Sequence, residues 1–513
     1  MRNVYFVYIF VDDNKAEIRH NGVIKTIEGV DILSEISLSE ECIVFTNGLF
    51  YLTQRYPGGE FYGEDYIKYG KKQSLEYRYD KVTFRNIVNF TNGQSETLLQ
   101  DLYPDVPVTE AMEMYINTLG NPEKVNYTLG YHVKKMFYAP ISEELWEFKK
   151  AHKAYYYNLD TYNDMMTGNK AGALRYTPVF AENVLCFDKR SAYTSVMVND
   201  DKFPIGKLSK KTKIEKERHW YLEELVKKYI ADGTYFKIVC DYKIAGFEIL
   251  YDVDVEKTAL EYIHFVDLME CGKLQEFLNK VEDCWFYDCH ETGRLPYVLR
   301  QKIIESFNNK ESMTGVAKFF EKTKINILYG KGIQHYDFKD KKDLQKHFRG
   351  RGDNYLQPEQ SMHCAAVVMY EINKAIRNNV AVYWDTDGIK VQDTPEARCY
   401  FYEQNEIILN KNREAGFESE IGTWKLESEC DEFIAFGPKQ YIQKHKNGEY
   451  EMTWAGVEKR DQQKMLQCLG DDKIINALIY GVPVYQRYYS LNPENPNEII
   501  SKVQVEKKEY DGQ

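Results

Sequence analysis

Asp385-Thr386-Asp387 sets two carboxylates one residue apart, between the apolar run Val380-Ala381-Val382-Tyr383 and a shorter one holding Ile389 and Val391. Residues i and i+2 of a strand share a face, and Asp387-Gly388 is a tight-turn signal. The pattern predicts a β-hairpin whose tip carries the two carboxylates close together. Without a counter-charge such anions repel, and one is driven towards protonation. A divalent cation removes that cost, and Mg²⁺ takes a few carboxylates along with phosphate oxygens. A lone Asp-Thr-Asp is more often a solvated acidic turn, so specificity has to come from other residues.

Two further patterns add chemistry. Val184-Leu185-Cys186-Phe187-Asp188 reads as an apolar strand ending in a carboxylate, and Ser191, two residues before Tyr193, can start a helix. An Asp at such a junction serves either as a metal ligand or as a helix N-cap, and taken alone the cap is the commoner role. Residues 300–330 read as one or two long helices with a polar stripe. Lys310, Thr314, Lys318, Lys322 and Asn326 recur at i+4, and Tyr329, followed by Gly330, rejoins that face at i+3. Lysines stacked at i+4 repel one another, and the arrangement gains from facing a polyanion such as a triphosphate. A solvated basic face accounts for the lysines but not for Asn326 and Tyr329-Gly330 on the same side.

These residues need elements to hold them. Residues 358–378 predict a helix leading into the hairpin, and 433–442 an apolar run interrupted by Lys439-Gln440-Tyr441. Residues 1–165 read as a mixed α/β unit, with strands near 4–11 and 42–45 and helical patterns through 141–157. The small residues of 167–173 mark a boundary. Residues 205–300 alternate charged helical patterns with strands such as Tyr235–Cys240, and 454–513 combine a helix over 462–480 with short strands.

A chain of 513 residues suffices for two to four domains with large cores. Its 42 tyrosines supply many rings for stacking or half-buried packing. A formal charge of -12 does not announce a nucleic-acid binder, so such binding needs local basic surface, for which 207–216 and 341–351 are candidates. Ten cysteines occur without a Cys-x-x-Cys pair. Cys284, Cys289 and His290 come nearest to a zinc cluster but lack a second ligand pair, so buried thiols in a reducing cytoplasm are expected. No apolar run reaches the length of a membrane span, and residues 4–11 read as a buried strand rather than a signal peptide. The expectation is a soluble cytoplasmic protein with no membrane partner.

In chain order, Asp188-x-x-Ser191-x-Tyr193 at a strand end, Lys322-x-x-x-Asn326-x-x-Tyr329-Gly330, Tyr383-x-Asp385-Thr386-Asp387 and Lys439-x-Tyr441 resemble the polymerase core of family B DNA polymerases. The resemblance is greatest to the compact, protein-primed polymerases of small tailed phages, and it covers about 165–513 and, more weakly, the region before. It implies an α/β (α+β) right-hand polymerase fold with an antiparallel palm sheet, helical fingers and a small thumb, preceded by a truncated RNase H-like exonuclease-type domain. The implied boundaries are 1–165 exonuclease-like, 166–305 first part of the palm, 306–350 fingers, 351–438 second part of the palm and 439–513 thumb. A segment near 270–305 resembles the insertion that holds priming protein and DNA.

Carried over to this chain, the resemblance makes Asp188 and Asp387 the ligands of two Mg²⁺ ions (Mn²⁺ as alternative), with Asp385 in support. Backbone around Lys189–Ala192, with Ser191, would touch the triphosphate. Tyr193 would lie under the sugar and exclude a 2′-hydroxyl. Lys310, Lys318 and Lys322 would neutralise phosphates, while Asn326, Tyr329 and Gly330 line the nascent base pair. Lys439 and Tyr441 would steady the primer, and Thr386 and Gly172 would contact DNA. The implied partners are primer-template DNA, dNTPs and a terminal priming protein.

The sequence also departs from the family. Ser191-Ala192-Tyr193-Thr194 stands where Ser-Leu-Tyr-Pro is usual, Ala171-Gly172 is all that represents a Gly-Gly turn, and the stretch from Gly330 to Asp385 is short. No Asp-x-Glu opens the chain, and Tyr51 occupies the Asp position of a second exonuclease motif that begins at Phe45. Tyr156 and Asp160 retain only the spacing of a third. The expectation is polymerisation without proofreading. The alternatives are a catalytically retired polymerase that binds nucleic acid or protein, and a polymerase with template-independent or RNA-templated synthesis.

Overall fold

The computed structural model describes residues 3–36, 40–62, 67–68, 71–72, 76–90, 99, 102–124, 129, 137–152, 162–163, 178–206, 208, 212–240, 259–281, 283–332, 338–344 and 358–512. Gly172, Tyr156, Asp160, residues 167–173 and much of the two basic stretches lie outside them. The chain forms two compact units. One comprises Met1–Met136, Lys310–Thr323 and Tyr485–Glu506; the other comprises Phe137–Asn309, Lys324–Val484 and Lys507–Gln513.

The first unit is built on a seven-stranded sheet in the order Val23–Glu28, Lys15–His20, Asn3–Phe10, Cys42–Thr46, Val82–Asn86, Glu76–Tyr79, Glu60–Tyr62. The opening three strands form an antiparallel meander. Asn21-Gly22 supplies the two positive φ angles that a tight hairpin loop between the second and third requires. Asn3–Phe10, Cys42–Thr46 and Val82–Asn86 run parallel, and Cys42–Thr46 is buried at every position, which is why it reads as an unbroken apolar run. Asn497 ties residues 485–506 into this unit: its carbonyl accepts from Val30 N at 3.2 Å and its side chain from Arg55 Nε at 2.7 Å.

The second unit holds a six-stranded antiparallel sheet in the order Ala381–Asp385, Gly388–Gln392, Val179–Lys189, Trp424–Gly437, Gln440–His445, Tyr450–Trp454. Both faces are covered. Leu185, Phe187, Ile389 and Val391 pack with Met369 and Ile372 on one side, and Val184 and Cys186 pack with Val382, Tyr383 and Phe433 on the other. The helix expected before the hairpin is present as Pro358–Asn378. A smaller four-stranded sheet, Thr212–Ile214, Cys284–Cys289, Tyr235–Cys240 and Ala259–Glu261, buries the Cys284 and Cys289 thiols.

Of the one or two long helices expected over 300–330 the structure has two, Tyr297–Ser312 and Gly315–Gly332, broken where Gly315 takes φ +56°, so the polar stripe is not one face of one helix. Lys310 therefore belongs to the earlier helix and Thr314 to the break. The single helix expected over 462–480 is likewise two, Lys459–Cys468 and Lys473–Tyr480, with Gly470 at φ +71° between them. Among the described residues no helix is long and apolar enough to cross a membrane.

Candidate active site

Strand pairing brings the segments that carry the separated carboxylates together. Val179–Lys189 lies beside Gly388–Gln392 with Asp188 opposite Gly388, and Asp385 faces the same glycine from the other side. A Cβ on Gly388 would lie 3.4 Å from Asp188 Oδ1, so any larger side chain there grows towards the carboxylate. The backbone N–H of Lys189 donates to the Asp387 carbonyl at 3.1 Å, stitching the strand end to the hairpin tip. The hairpin loop is Thr386-Asp387, one residue earlier than the Asp387-Gly388 turn expected from sequence. Pairing Asp385 with Gly388 leaves only those two residues to turn the chain, and Thr386 takes φ +64° to do so. Asp188 does not cap the following helix, because Ala192–Asn199 begins after Ser191, whose side chain makes no cap hydrogen bond.

The two hairpin carboxylates sit in different surroundings. Asp385 accepts from Thr386 Oγ1 at 2.6 Å and has Lys439 Nζ at 3.6 Å. Asp387 is held above the usual carboxylate range, chiefly by burial and further by Asp385 and Glu427; its own backbone N–H and Lys439 oppose the shift. Glu427 reaches this position through a bulge, since Cys186 opposes Ser428 while Phe187 opposes Leu426. Among the described residues no group of three or more His, Cys, Asp or Glu is gathered at metal-ligand spacing. The oxygen donors on offer are the Asp188–Asp387 pair with Asp385 beside it.

Tyr193, from the helix after Asp188, stacks on Tyr329 with ring centroids 4.1 Å apart and planes at 16°. Burial, Tyr193, Cys364 and Asp387 all hold the Tyr329 phenol in its protonated form. Asn326 and Gly330 are exposed on the same helix as Tyr329. Lys318 and Lys322, also exposed, lie on its N-terminal part and belong to the first unit; Lys310 belongs there too and pairs with Glu311 at 3.1 Å. Lys439 N donates to Tyr383 Oη at 2.8 Å, and the Tyr383 and Tyr441 rings lie 5.5 Å apart.

Backbone strain marks the same residues independently. Seven described non-glycine residues have positive φ, and four of them are Asn or Asp, which tolerate that region. The other three are Ser191, Thr386 and Lys439. Strained conformations of this kind persist where the surrounding structure over-determines them, as at ligand-handling sites. Sequence reasoning missed Glu427 and the pair of buried Lys189 with partly exposed Glu371, at 2.8 Å. A lysine directly after the apolar strand was the available signal for the pair; nothing local pointed to Glu427.

No protein-family model and no curated protein matches the chain. Solved structures share its fold. Phi29 DNA polymerase in an orthorhombic crystal form aligns with TM-score 0.64 and 13% identity over 99% of this chain and 100% of that one. The same enzyme complexed with primer-template DNA aligns at TM-score 0.63 and 13% identity, with the same coverage. Its complex with primer-template DNA and incoming nucleotide substrates gives 0.61 and 12% over the same shares of both chains. The chain has the mixed α/β fold of Phi29 DNA polymerase along almost its whole length.

Proposed function

We propose that this chain is a DNA-directed DNA polymerase that adds dNTPs to a primer, the primer being a terminal protein, without 3′–5′ proofreading, and that it acts in the cytoplasm. The observation that carries the reading is the meeting of Asp188 and Asp387 at adjacent strand ends, with Asp387 held towards its protonated form. Burial and a neighbouring like charge cost free energy that a divalent cation would relieve, and oxygen-only donors suit Mg²⁺ or Mn²⁺. Asp188 and Asp387 would hold two such ions, which when bound supply charge neutralisation and activation of the primer 3′-hydroxyl. The fold shared with Phi29 DNA polymerase, and that enzyme's capture with primer-template DNA and incoming nucleotides, support the substrate class. Phosphoryl transfer asks a protein mainly for positioning and charge. In this reading Tyr193 presents its ring edge to the sugar, Asn326 and Tyr329 bound the nascent base pair, and Lys439 and Tyr441 hold the primer. Terminal-protein priming is supported by the motif resemblance.

Loss of proofreading is supported by the first unit. Tyr51 stands on the Leu49–Arg55 helix where a carboxylate would be needed. Asn47 is committed to structure, accepting from Ile9 N at 2.8 Å and donating to Ile9 O at 3.0 Å.

The test is extension of a labelled primer-template with dNTPs and Mg²⁺, alongside a mismatched 3′-end incubated without dNTPs. The parent should extend, the mismatched strand should keep its length, and Asp387→Ala should lose more than about 100-fold in rate, beyond what outer-sphere changes cost. Undiminished synthesis by Asp387→Ala sinks the reading. Binding of DNA without extension, even with candidate priming proteins added, favours a retired polymerase instead.

A further inference from the structure

The strand Val179–Lys189, which carries Asp188, has a register irregularity just before it. With Cys186 opposite Ser428 and Phe187 opposite Leu426, Glu427 is an extra residue in the partner strand. On its other side the strand pairs with Gly388–Gln392 without a break, up to Asp188 opposite Gly388, so beyond the bulge it is the strand end against Trp424 that needs fixing. Lys189 is the next residue, and its side chain is almost fully buried. Its ammonium lies 2.8 Å from Glu371 Oε2 on the Pro358–Asn378 helix and 4.8 Å from the centre of the Trp424 ring, the residue opposite it in the sheet. Burying an unpaired lysine is costly, so the register that supplies both partners is strongly preferred over its neighbours. In that register the Lys189 N–H reaches the Asp387 carbonyl.

We propose that Lys189 is a positioning residue, whose ion pair with Glu371 and contact with Trp424 anchor the strand end that carries Asp188 and binds the Asp387 carbonyl. The inference rests on the polymerase reading, in which those carboxylates hold metal ions. Apolar residues of similar size often replace a buried ion pair without loss of stability, which separates a structural role from a positioning one. The variants are the double Lys189→Met, Glu371→Met and the single Glu371→Asp, which keeps both charges and shortens the reach by one methylene. Mn²⁺ binding is followed by electron paramagnetic resonance of the free ion, with Asp387→Ala identifying the site, and melting and primer extension are measured alongside. The double variant should melt within a few degrees of the parent, yet bind Mn²⁺ about 10–100-fold more weakly. Its kcat should fall to match while KM for dNTP moves less than about twofold, the mark of a displaced ligand rather than a lost substrate contact. Glu371→Asp should fall between. Affinity within about twofold of the parent in either folded variant overturns the proposal. A parent that binds and extends beside variants that do so equally refutes the role of Lys189 alone. A parent that extends nothing and whose Mn²⁺ binding ignores Asp387 refutes the polymerase reading and this assignment with it.

Discussion

Replacing Glu359 by Gln should stabilise the protein at alkaline pH and leave it nearly unchanged in mild acid. Glu359 lies in the first turn of the Pro358–Asn378 helix, 1% exposed, and among the described residues no other residue hydrogen-bonds either carboxylate oxygen through its side chain or backbone. Burial pushes its carboxyl up to about 8 from an ordinary 4.5, and only its own backbone N–H offsets this. The folded chain therefore carries the group protonated at neutral pH, whereas the unfolded chain ionises it. A carboxyl raised in the folded state gives its full stabilisation below pH 4.5 and loses it as pH climbs through about 8. At about 1.36 kcal/mol for each pH unit of that interval, the loss is on the order of 5 kcal/mol by pH 9. Gln has the same shape and does not ionise, so the variant escapes the loss. The assay is thermal melting of parent and Glu359→Gln at pH 4.5 and pH 9. The variant should gain roughly 5–10 °C over the parent at the higher pH. At the lower pH the two should differ little. Taking the difference between variant and parent cancels the other titrating groups. An equal melting difference at both pH values would refute the reasoning.

Other perturbations follow from the same geometry. Tyr193→Val removes the ring that stacks on Tyr329 at 4.1 Å; ribonucleotide incorporation relative to dNTP should rise at least about tenfold in single-nucleotide extension, and unchanged sugar selection would remove Tyr193 from that role. Arg377→Ala strands Asp267, whose side chain is fully buried and bonded to both Arg377 and Asn373. Loss of one partner of such a buried pair costs about 3–5 kcal/mol, so melting should fall, and Asp267→Asn in the same chain should recover part of it by removing the uncompensated charge.

Much of this architecture is written in short-range pattern. The apolar strand carrying Asp188, the Pro358–Asn378 helix and the Tyr235–Cys240 strand are legible because each depends on the periodicity of neighbouring residues. The candidate site residues were legible only through the resemblance of their types and order to family B polymerase motifs. The positions of the helix breaks were not: Gly315 and Gly470 are tolerable inside a helix, and periodicity does not say which glycine takes its left-handed freedom. The hairpin loop fell one residue from its expected place because the pairing of Asp385 with Gly388, a matter of sheet register, overrode the local preference of Asp387-Gly388. That Asp387 is driven towards protonation was equally beyond the sequence, because the burial and the Glu427 charge that raise it come from tertiary structure. Local sequence determined what each segment could be. Long-range pairing decided which residues meet, because the partners of Asp188 and Lys189, namely the Asp387 loop and Glu371, lie far along the chain, where no periodicity reaches.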